Sequence, residues 1–265
     1  METVSTGIQS VDAGCAADYL SKRYQYIDSA ALVRAAGNKG WYLERASQTK
    51  SRGKAESAAH LLTFRHKDIR PIDLGGINGQ SFIELNLVNS HDGSKALRFM
   101  LGLFRLVCLN GMVRGISMRE FRASHSRSGI GKLSEGFDFV ADHAQSELER
   151  VRELSQFMLS PEQSSVFLAA CLRKRLEHVE GFVDITGGTG PRRVADQGQD
   201  GYTVFNRGQE LMLRGGFSYV TQTENKDKVL VSRLHTARPV YSIGRSIELN
   251  GFATQTINQI IGGEQ

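Results

Sequence analysis

The chain has 265 residues, of which 40% are hydrophobic and 23% charged, and its formal net charge is +5. This length and composition predict a folded protein with a substantial core and exclude a long disordered chain. No apolar run approaches the roughly 18–20 residues that a membrane helix needs, and residues 1–14 lack the basic start and apolar core of a signal peptide. We therefore expect a cytoplasmic protein without a membrane segment.

The N-terminal half predicts one helix, several strands and a second helix. The first helix is expected over residues 29–36, with Asp28 or Ser29 as its N-cap. After the turn at 89–93, apolar residues at helical spacing predict the second helix over 97–104. Alternating or aliphatic stretches bounded by turn residues indicate the strands. They are expected over residues 40–47, 60–65, 81–89 and 112–118.

The middle of the chain predicts two consecutive helices. Apolar residues recur at spacings of three and four over 135–158. Ser160 and Gln163 then form a capping box, with Pro161 at the first helical position, and open a helix that reaches about His178. The remaining expected elements are a helix over 202–214 capped by Asp200, a strand over 238–244 and a helix over 248–261.

Together these elements predict an α+β fold in which helices cover an antiparallel sheet, with a helical hairpin in the middle of the chain. No internal repeat or change of composition divides the sequence. We therefore expect a single domain over residues 1–265, with a hinge at the glycine-rich stretch 187–190.

Basic residues are concentrated between residues 94 and 133, where Glu120 is the only acid. The balance reverses over residues 134–162, in which acids outnumber basic residues. A basic stretch beside an acidic one indicates an anionic partner bound on one side. A solvated basic loop that pairs with the acidic helix would explain the same pattern without any partner.

Two segments carry a resemblance to a known family. The first is the stretch Asn89–Arg98 followed by 102–111, and the second is Pro191–Asp196 followed by 200–216. Both resemble the prophage YfjQ-type family of phage- and plasmid-borne proteins, which is a domain of unknown function. The likeness runs from about residue 24 to about residue 250. Its mobile-element context implies recombination, replication or counter-defence as the setting.

The charge pattern makes DNA binding the leading hypothesis, because Lys and Arg that neutralise phosphates supply most of the affinity for DNA. The expected order of elements between His60 and Leu109 also resembles phage single-strand annealing proteins, a likeness that implies self-association into rings or filaments. We expect binding of DNA, preferably single-stranded, that assists recombination or annealing without turnover or a cofactor. Rings that could stack on bases are Tyr24, Tyr26, Trp41, Tyr42, Phe121 and Tyr202. The expected phosphate contacts are Lys50, Arg52, Lys54, Arg98, Arg105, Arg114, Arg119, Arg122, Arg127, Arg192 and Arg193.

Two other functions stay open at this point. His91 and Asp92 lie on a tight turn and could hold the divalent metal of a nuclease. A role of Asp92 as a helix cap and of His91 as a turn residue explains them equally well. A non-enzymatic inhibitor of a host defence system would need only a surface that fits a host protein, which leaves no local motif.

Overall fold

The computed structural model describes residues 7–49, 54–70, 72–73, 80–105, 119–188, 190–192, 196–225 and 228–262. It gives the backbone alone at residues 72–73, 80–81, 102–105 and 119. These residues form two compact units. Unit 1 comprises the described residues up to Asp73 and from Gln80 to Arg150, and unit 2 comprises those from Val151 onward. The boundary falls inside a helix, and the single domain with a hinge at 187–190 stays a prediction.

Unit 1 is built on an antiparallel sheet with the strand order β1-β2-β4-β5-β6, in which the short β3 pairs with β4. This sheet and its helices confirm the predicted α+β class. The strands are β1 (Trp41–Gln48), β2 (His60–His66), β3 (Ile72–Asp73), β4 (Gln80–Asn89), β5 (Leu97–Arg105) and β6 (Arg119–Ala123). The helices are α1 (Ser29–Asn38), α2 (Arg127–Ile130) and α3 (Leu133–Gln156), the last of which continues into unit 2. A short 3-10 helix covers Ala55–Ser57.

The helix predicted over residues 97–104 is wrong, because this segment is the strand β5 between β4 and β6. Leu97, Phe99 and Leu101 alternate along one face of β5 and are fully buried. Met100, on the opposite face, is also buried. A strand buried on both faces carries apolar residues at spacings that fit a helix as well as a strand.

One face of the sheet in unit 1 is apolar and packs against helices. The ring of Phe99 meets the ring of Phe137 in α3 edge to face, with 5.1 Å between their centroids. Leu32 of α1 is buried, and Asp28 caps that helix by accepting a hydrogen bond from the backbone N–H of Ala30. The packing of helices on the aliphatic face of β4 and β5 supplies the core of the unit.

Unit 2 combines helices with a small antiparallel sheet of strand order β7-β8-β9. The predicted capping box of Ser160 and Gln163 and the predicted Asp200 cap are both confirmed. The helices α3 and α4 follow one another in mid-chain, which confirms the predicted helical pair. The elements are α4 (Pro161–Leu176), β7 (Phe182–Gly187), α5 (Gly201–Arg214), β8 (Ser218–Glu224), β9 (Leu230–Thr236) and α6 (Ile243–Gly262).

The strand predicted over residues 238–244 is wrong, and the small sheet lies earlier in the chain. Pro239 has no N–H to donate to a ladder, and the N–H of Val240 donates to the carbonyl of Leu213 in α5 at 2.8 Å. The strands β7, β8 and β9 were not predicted, because they are largely polar and exposed. Within the described residues, no helix combines the length and the apolar character needed to cross a membrane.

The helix α5 is buried along most of its length and lies against α4 at Gly208. A Cβ atom at Gly208 would lie 2.5 Å from the ring of Phe167 and 2.9 Å from the Sγ of Cys171. Both partners are fully buried, so they have little room to move aside. The missing side chain at residue 208 therefore sets how closely the two helices approach.

We expect Gly208→Ala to lower the free energy of unfolding by about 1–3 kcal/mol, because the new methyl group overpacks this contact. The matched control is Gly251→Ala in α6, where a Cβ atom would meet nothing within 4 Å. That change should raise the free energy of unfolding by up to about 1 kcal/mol, the usual gain of Ala over Gly inside a helix. Urea unfolding of both variants checks the pair, and an equal gain in both would contradict the close approach.

Candidate nucleic-acid interface

The strands β5 and β6 bring two of the predicted arginines together. Arg98 of β5 lies directly opposite Arg122 of β6 in the antiparallel register. Residues opposite each other in such a pair project from the same face. Phe99 and Phe121 form the neighbouring pair on the other, apolar face, with 5.8 Å between their ring centroids. Arg98 and Arg122 therefore belong to the face of the sheet that turns away from the helices of the core.

Positive charge is in excess at this end of the sheet. The Nε of Arg98 lies 3.4 Å from a carboxylate oxygen of Glu120, and both side chains are partly exposed. Arg122 is exposed and makes no ion pair with the described residues. Like charges that lie directly opposite each other repel. Glu120 therefore offsets the charge of Arg98 alone, and the two opposed arginines would gain from a further anion.

A serine turn extends this surface beyond the end of β6. The hydroxyl groups of Ser124 and Ser126 lie 2.8 Å apart, and those of Ser126 and Ser128 lie 3.1 Å apart. Ser126 also caps the one-turn helix α2 by accepting a hydrogen bond from the N–H of Gly129. Arg127, the first residue of α2, is exposed and also has no ion-pair partner among the described residues. Hydroxyl groups and guanidinium groups in this arrangement can donate hydrogen bonds to phosphate oxygens.

The segment that precedes α1 holds the serine turn in place. The ring of Tyr24 stacks on the ring of His125 with 4.6 Å between centroids. The N–H of Gln25 donates to the carbonyl of His125, and the Nδ1 of His125 lies 3.1 Å from the carbonyl of Gln25. The hydroxyl of Tyr24 donates to the carbonyl of Ser90 at 2.8 Å. One short segment thus ties the turn after β4 to the turn after β6.

Two buried histidines lie beneath the turn that follows β4. The rings of His60 and His91 lie 5.1 Å apart, and the ring of Tyr26 lies 4.8 Å from that of His91. His60 has normal partners, because its Nε2 lies 2.7 Å from the Ser29 hydroxyl and its Nδ1 lies 3.0 Å from the Ala58 carbonyl. Burial lowers the pKa of His60 to about 4 and also lowers the pKa of His91. Both rings are therefore neutral at neutral pH.

The other half of the same face is occupied by a buried ion cluster. The Glu84 carboxylate is fully buried and accepts hydrogen bonds from Arg65 at 2.8 and 2.9 Å and from Arg45 at 2.9 Å. Arg65 also pairs with Glu44 at 2.9 Å. Burial raises the pKa of Glu84, and the two arginines oppose that shift. These two arginines are engaged within the protein, in contrast to Arg122.

The other predicted phosphate contacts do not join this surface in the described structure. Lys54 is exposed and pairs with Asp18 at 3.0 Å. Arg192 belongs to unit 2 and donates a hydrogen bond to the Gly215 carbonyl. The backbones of Arg105 and Arg119 lie in β5 and β6, but their side chains lie outside the described part. Lys50, Arg52, Arg114 and Arg193 lie outside the described residues altogether.

The aromatic residues proposed for base stacking divide into three groups: buried rings, rings that contact other rings, and one half-exposed ring. Trp41 and Tyr202 are buried, so the proposed stacking role is wrong for these two. Tyr24 and Tyr26 contact the rings of His125 and His91, and Phe121 contacts the rings of Phe99 and Phe139 on the apolar face. Tyr42 is about half exposed on β1, opposite Arg65 and on the face that carries Arg122. Among the described aromatic rings of this face, it is the one most open to a base.

The metal hypothesis finds no constellation of ligands in the described residues. His91 is fully buried among aromatic rings, although the Ser10 backbone lies near enough to raise its pKa. Asp92 accepts a hydrogen bond from the N–H of Ser94 at 2.8 Å and so stabilises the turn. Within the described part, no three His, Cys, Asp or Glu side chains come together as metal ligands. The turn interpretation of His91 and Asp92 accounts for both positions, but the predicted helix cap does not, since no helix follows.

Comparison with known proteins gives a family but no activity. The family model described as a domain of unknown function, DUF932, matches residues 17–240. UPF0380 protein YafZ and UPF0380 protein YfjQ, both from Escherichia coli (strain K12), are 31% and 30% identical over 200 residues. Each alignment covers 75% of this chain and 71% of the relative. No solved structure matches this chain.

The buried histidines predict how the stability of unit 1 depends on pH. An unfolded histidine binds a proton near pH 6.5, whereas burial keeps folded His60 neutral down to about pH 4. Burial of the neutral His60 ring therefore costs no stability above pH 6.5. As the pH falls from 6.5 to about 4, the unfolded state gains a proton that the folded state does not bind, and unit 1 loses stability. The loss amounts to about 3 kcal/mol.

We expect His60→Gln to remove most of this pH dependence, whatever it does to stability at pH 7. The midpoint of urea unfolding, followed by the fluorescence of the single tryptophan Trp41 in unit 1, measures the effect. The control is His178→Gln, which removes an exposed imidazole outside the buried cluster. Equal pH dependence in His60→Gln and the wild type would contradict the assignment.

Proposed function

The chain belongs to the DUF932 family, a domain of unknown function, and from its own surface we propose that it binds DNA, preferably single-stranded. The binding surface is the end of the sheet formed by Arg98, Arg122 and Arg127 with the serine turn between them. The protein would assist recombination or strand annealing in the cytoplasm. Binding alone performs this role, so it requires neither turnover nor a cofactor.

The observation that carries the proposal is the contrast between two groups of arginines on one face. Arg45 and Arg65 are held by the carboxylates of Glu44 and Glu84. Arg122 is exposed and has no carboxylate partner among the described residues, and the cross-strand neighbour of Arg122 is another arginine. Unpaired guanidinium groups at the surface are the groups that phosphates of a nucleic acid neutralise, with release of bound counterions.

The serine turn and Tyr42 favour a single strand within this proposal. Backbone phosphates would contact the guanidinium groups, and the hydroxyl groups of Ser124, Ser126 and Ser128 would donate further hydrogen bonds. A base unstacked from its neighbours can lie on an exposed ring such as Tyr42, at the β1 side of the same face. Self-association would place several such surfaces along one strand, as strand annealing requires.

We expect the affinity for a thymidine oligonucleotide of about 20 nucleotides to fall steeply as salt rises. The double change Arg122→Gln/Arg127→Gln should reduce the slope of log affinity against log salt by about 1.4, because each lost contact with a single strand removes about 0.7. Fluorescence anisotropy of the labelled oligonucleotide at several salt concentrations gives the slope.

The matched control is the double change Arg152→Gln/Arg173→Gln, which removes two exposed helix arginines and the same net charge. Its slope should equal that of the wild type. No binding at low salt, or a slope lowered equally by both double changes, would overturn the proposed surface. Light scattering on the same samples tests the self-association that annealing requires.

Removal of the acid beside Arg98 should have the opposite effect. Glu120 neutralises part of the charge of Arg98, with 3.4 Å between the paired atoms. We expect Glu120→Gln to strengthen binding and to steepen the salt dependence by about 0.7, because Arg98 becomes free for a phosphate. The same anisotropy titration measures this change, and weaker binding by Glu120→Gln would contradict the role given to Arg98.

A further inference from the structure

Unit 2 contains a cavity of about 530 Å³ between the end of α4 and the strand β9. This volume lies within the range of about 300–1,000 Å³ that is usual for small-molecule sites. Leu176 and Ala237 belong to the hydrophobic core of the unit and form its apolar wall, together with Val179. The polar residues around it are Arg175, Tyr219, His235, Thr236 and Arg238. Among the described residues, the lining therefore includes two arginines and no acid.

Arg175 is the unusual group in this lining. One of its Nη atoms donates to the carbonyl of Arg238 at 2.7 Å. Its Nε is buried and has no hydrogen-bond partner within the described residues. Burial, and then the charge of Arg245, lower the pKa of the Arg175 guanidinium. A buried donor without a partner costs free energy. This Nε is enclosed by protein atoms, so a ligand in the cavity would bind to the Nη groups of the guanidinium.

The carboxylates nearby do not serve Arg175, because other cations hold them. Glu177 pairs with Lys174 and with Arg245, each at 2.8 Å. Glu248 pairs with the same two cations at 2.8 and 2.7 Å. Arg175 makes no ion pair with the described residues. The positive charge of the cavity is therefore not neutralised by the described residues of the unit.

Two stacked rings give the cavity a surface for a planar group. The rings of Tyr219 and His235 lie 5.1 Å apart with an angle of 20° between their planes. The Thr221 hydroxyl lies 2.8 Å from the Nε2 of His235 and fixes the orientation of that ring. Val179 and Leu234 add apolar contact beside the rings. Guanidinium groups beside flat rings suit a ligand that joins a phosphate to a heterocyclic base.

We propose that this cavity binds a nucleoside phosphomonoester, with its phosphate on Arg175 and Arg238 and its base beside Tyr219 and His235. Two kinds of ligand contain a nucleoside phosphomonoester: a free mononucleotide and the 5′-phosphorylated end of a strand. The site is built within unit 2 and does not rest on the DNA surface of unit 1, so either proposal can fail while the other stands.

Isothermal titration of the full chain with AMP tests the site, with adenosine as the probe that lacks the phosphate. We expect AMP to bind and adenosine to bind at least about ten-fold more weakly, because charged hydrogen bonds to the phosphate are lost. Arg238→Gln should lower the affinity for AMP by about ten-fold or more for the same reason. Arg238→Gln keeps the backbone carbonyl of residue 238, which accepts the hydrogen bond from Arg175. Arg175→Gln should weaken AMP at least as much.

Arg173→Gln is the matched control, because Arg173 is an exposed arginine of the same helix outside the cavity lining. It should bind AMP as the wild type does, and so should the double change Arg122→Gln/Arg127→Gln in unit 1. Competition with AMP by a 5′-phosphorylated oligonucleotide, but not by its 5′-hydroxyl form, would identify a strand end as the source. The proposal would be overturned if neither AMP nor the 5′-phosphorylated oligonucleotide bound, or if Arg238→Gln bound AMP as tightly as the wild type does.

Discussion

The buried carboxylate of Glu84 sets the character of the polar face of unit 1. A fully buried carboxylate is stable only when it is paired and hydrogen-bonded, and here Arg45 and Arg65 both donate to it. Because Glu44 provides a second acid, the charges of the two arginines on the β1–β4 half of the face are balanced by two carboxylates. Among the described residues of this face, the arginines that remain for a partner are Arg98 and Arg122, followed by Arg127 in the turn after β6, and Glu120 lies beside Arg98.

Contacts between aromatic rings tie that remaining surface to the rest of unit 1. Stacking between Tyr24 and His125 and the backbone pairing of Gln25 with His125 fix the turn after β6 to a segment far away in sequence. His91 does the same for the turn after β4, through ring contacts with Tyr26 and His60. A surface held in this way loses little conformational freedom when a ligand binds, so more of the contact energy appears as affinity.

The parts that sequence predicted well depend on local interactions. The family resemblance of two short segments is confirmed, and the caps at Asp28, Ser160 and Asp200 were predicted because a cap lies within three residues of its partner. The segment 97–104 was misassigned because burial of both faces hides the strand period. The pairing of Arg98 with Arg122 and with Glu120 depends on strand register, which no local pattern of charge reveals.

The unpaired arginines of the two units differ in what an anion would gain from them. Arg122 and Arg127 are exposed, so water solvates them and each phosphate contact adds little free energy. The affinity at Arg122 and Arg127 therefore depends on the number of phosphate contacts. Such binding tolerates any nucleotide sequence and weakens as salt rises. The guanidinium of Arg175 is only partly exposed, so water solvates it less well and a charged hydrogen bond to a phosphate there gains more free energy. One such contact can therefore select a single phosphate group, which suits a small ligand or a strand end better than a continuous backbone.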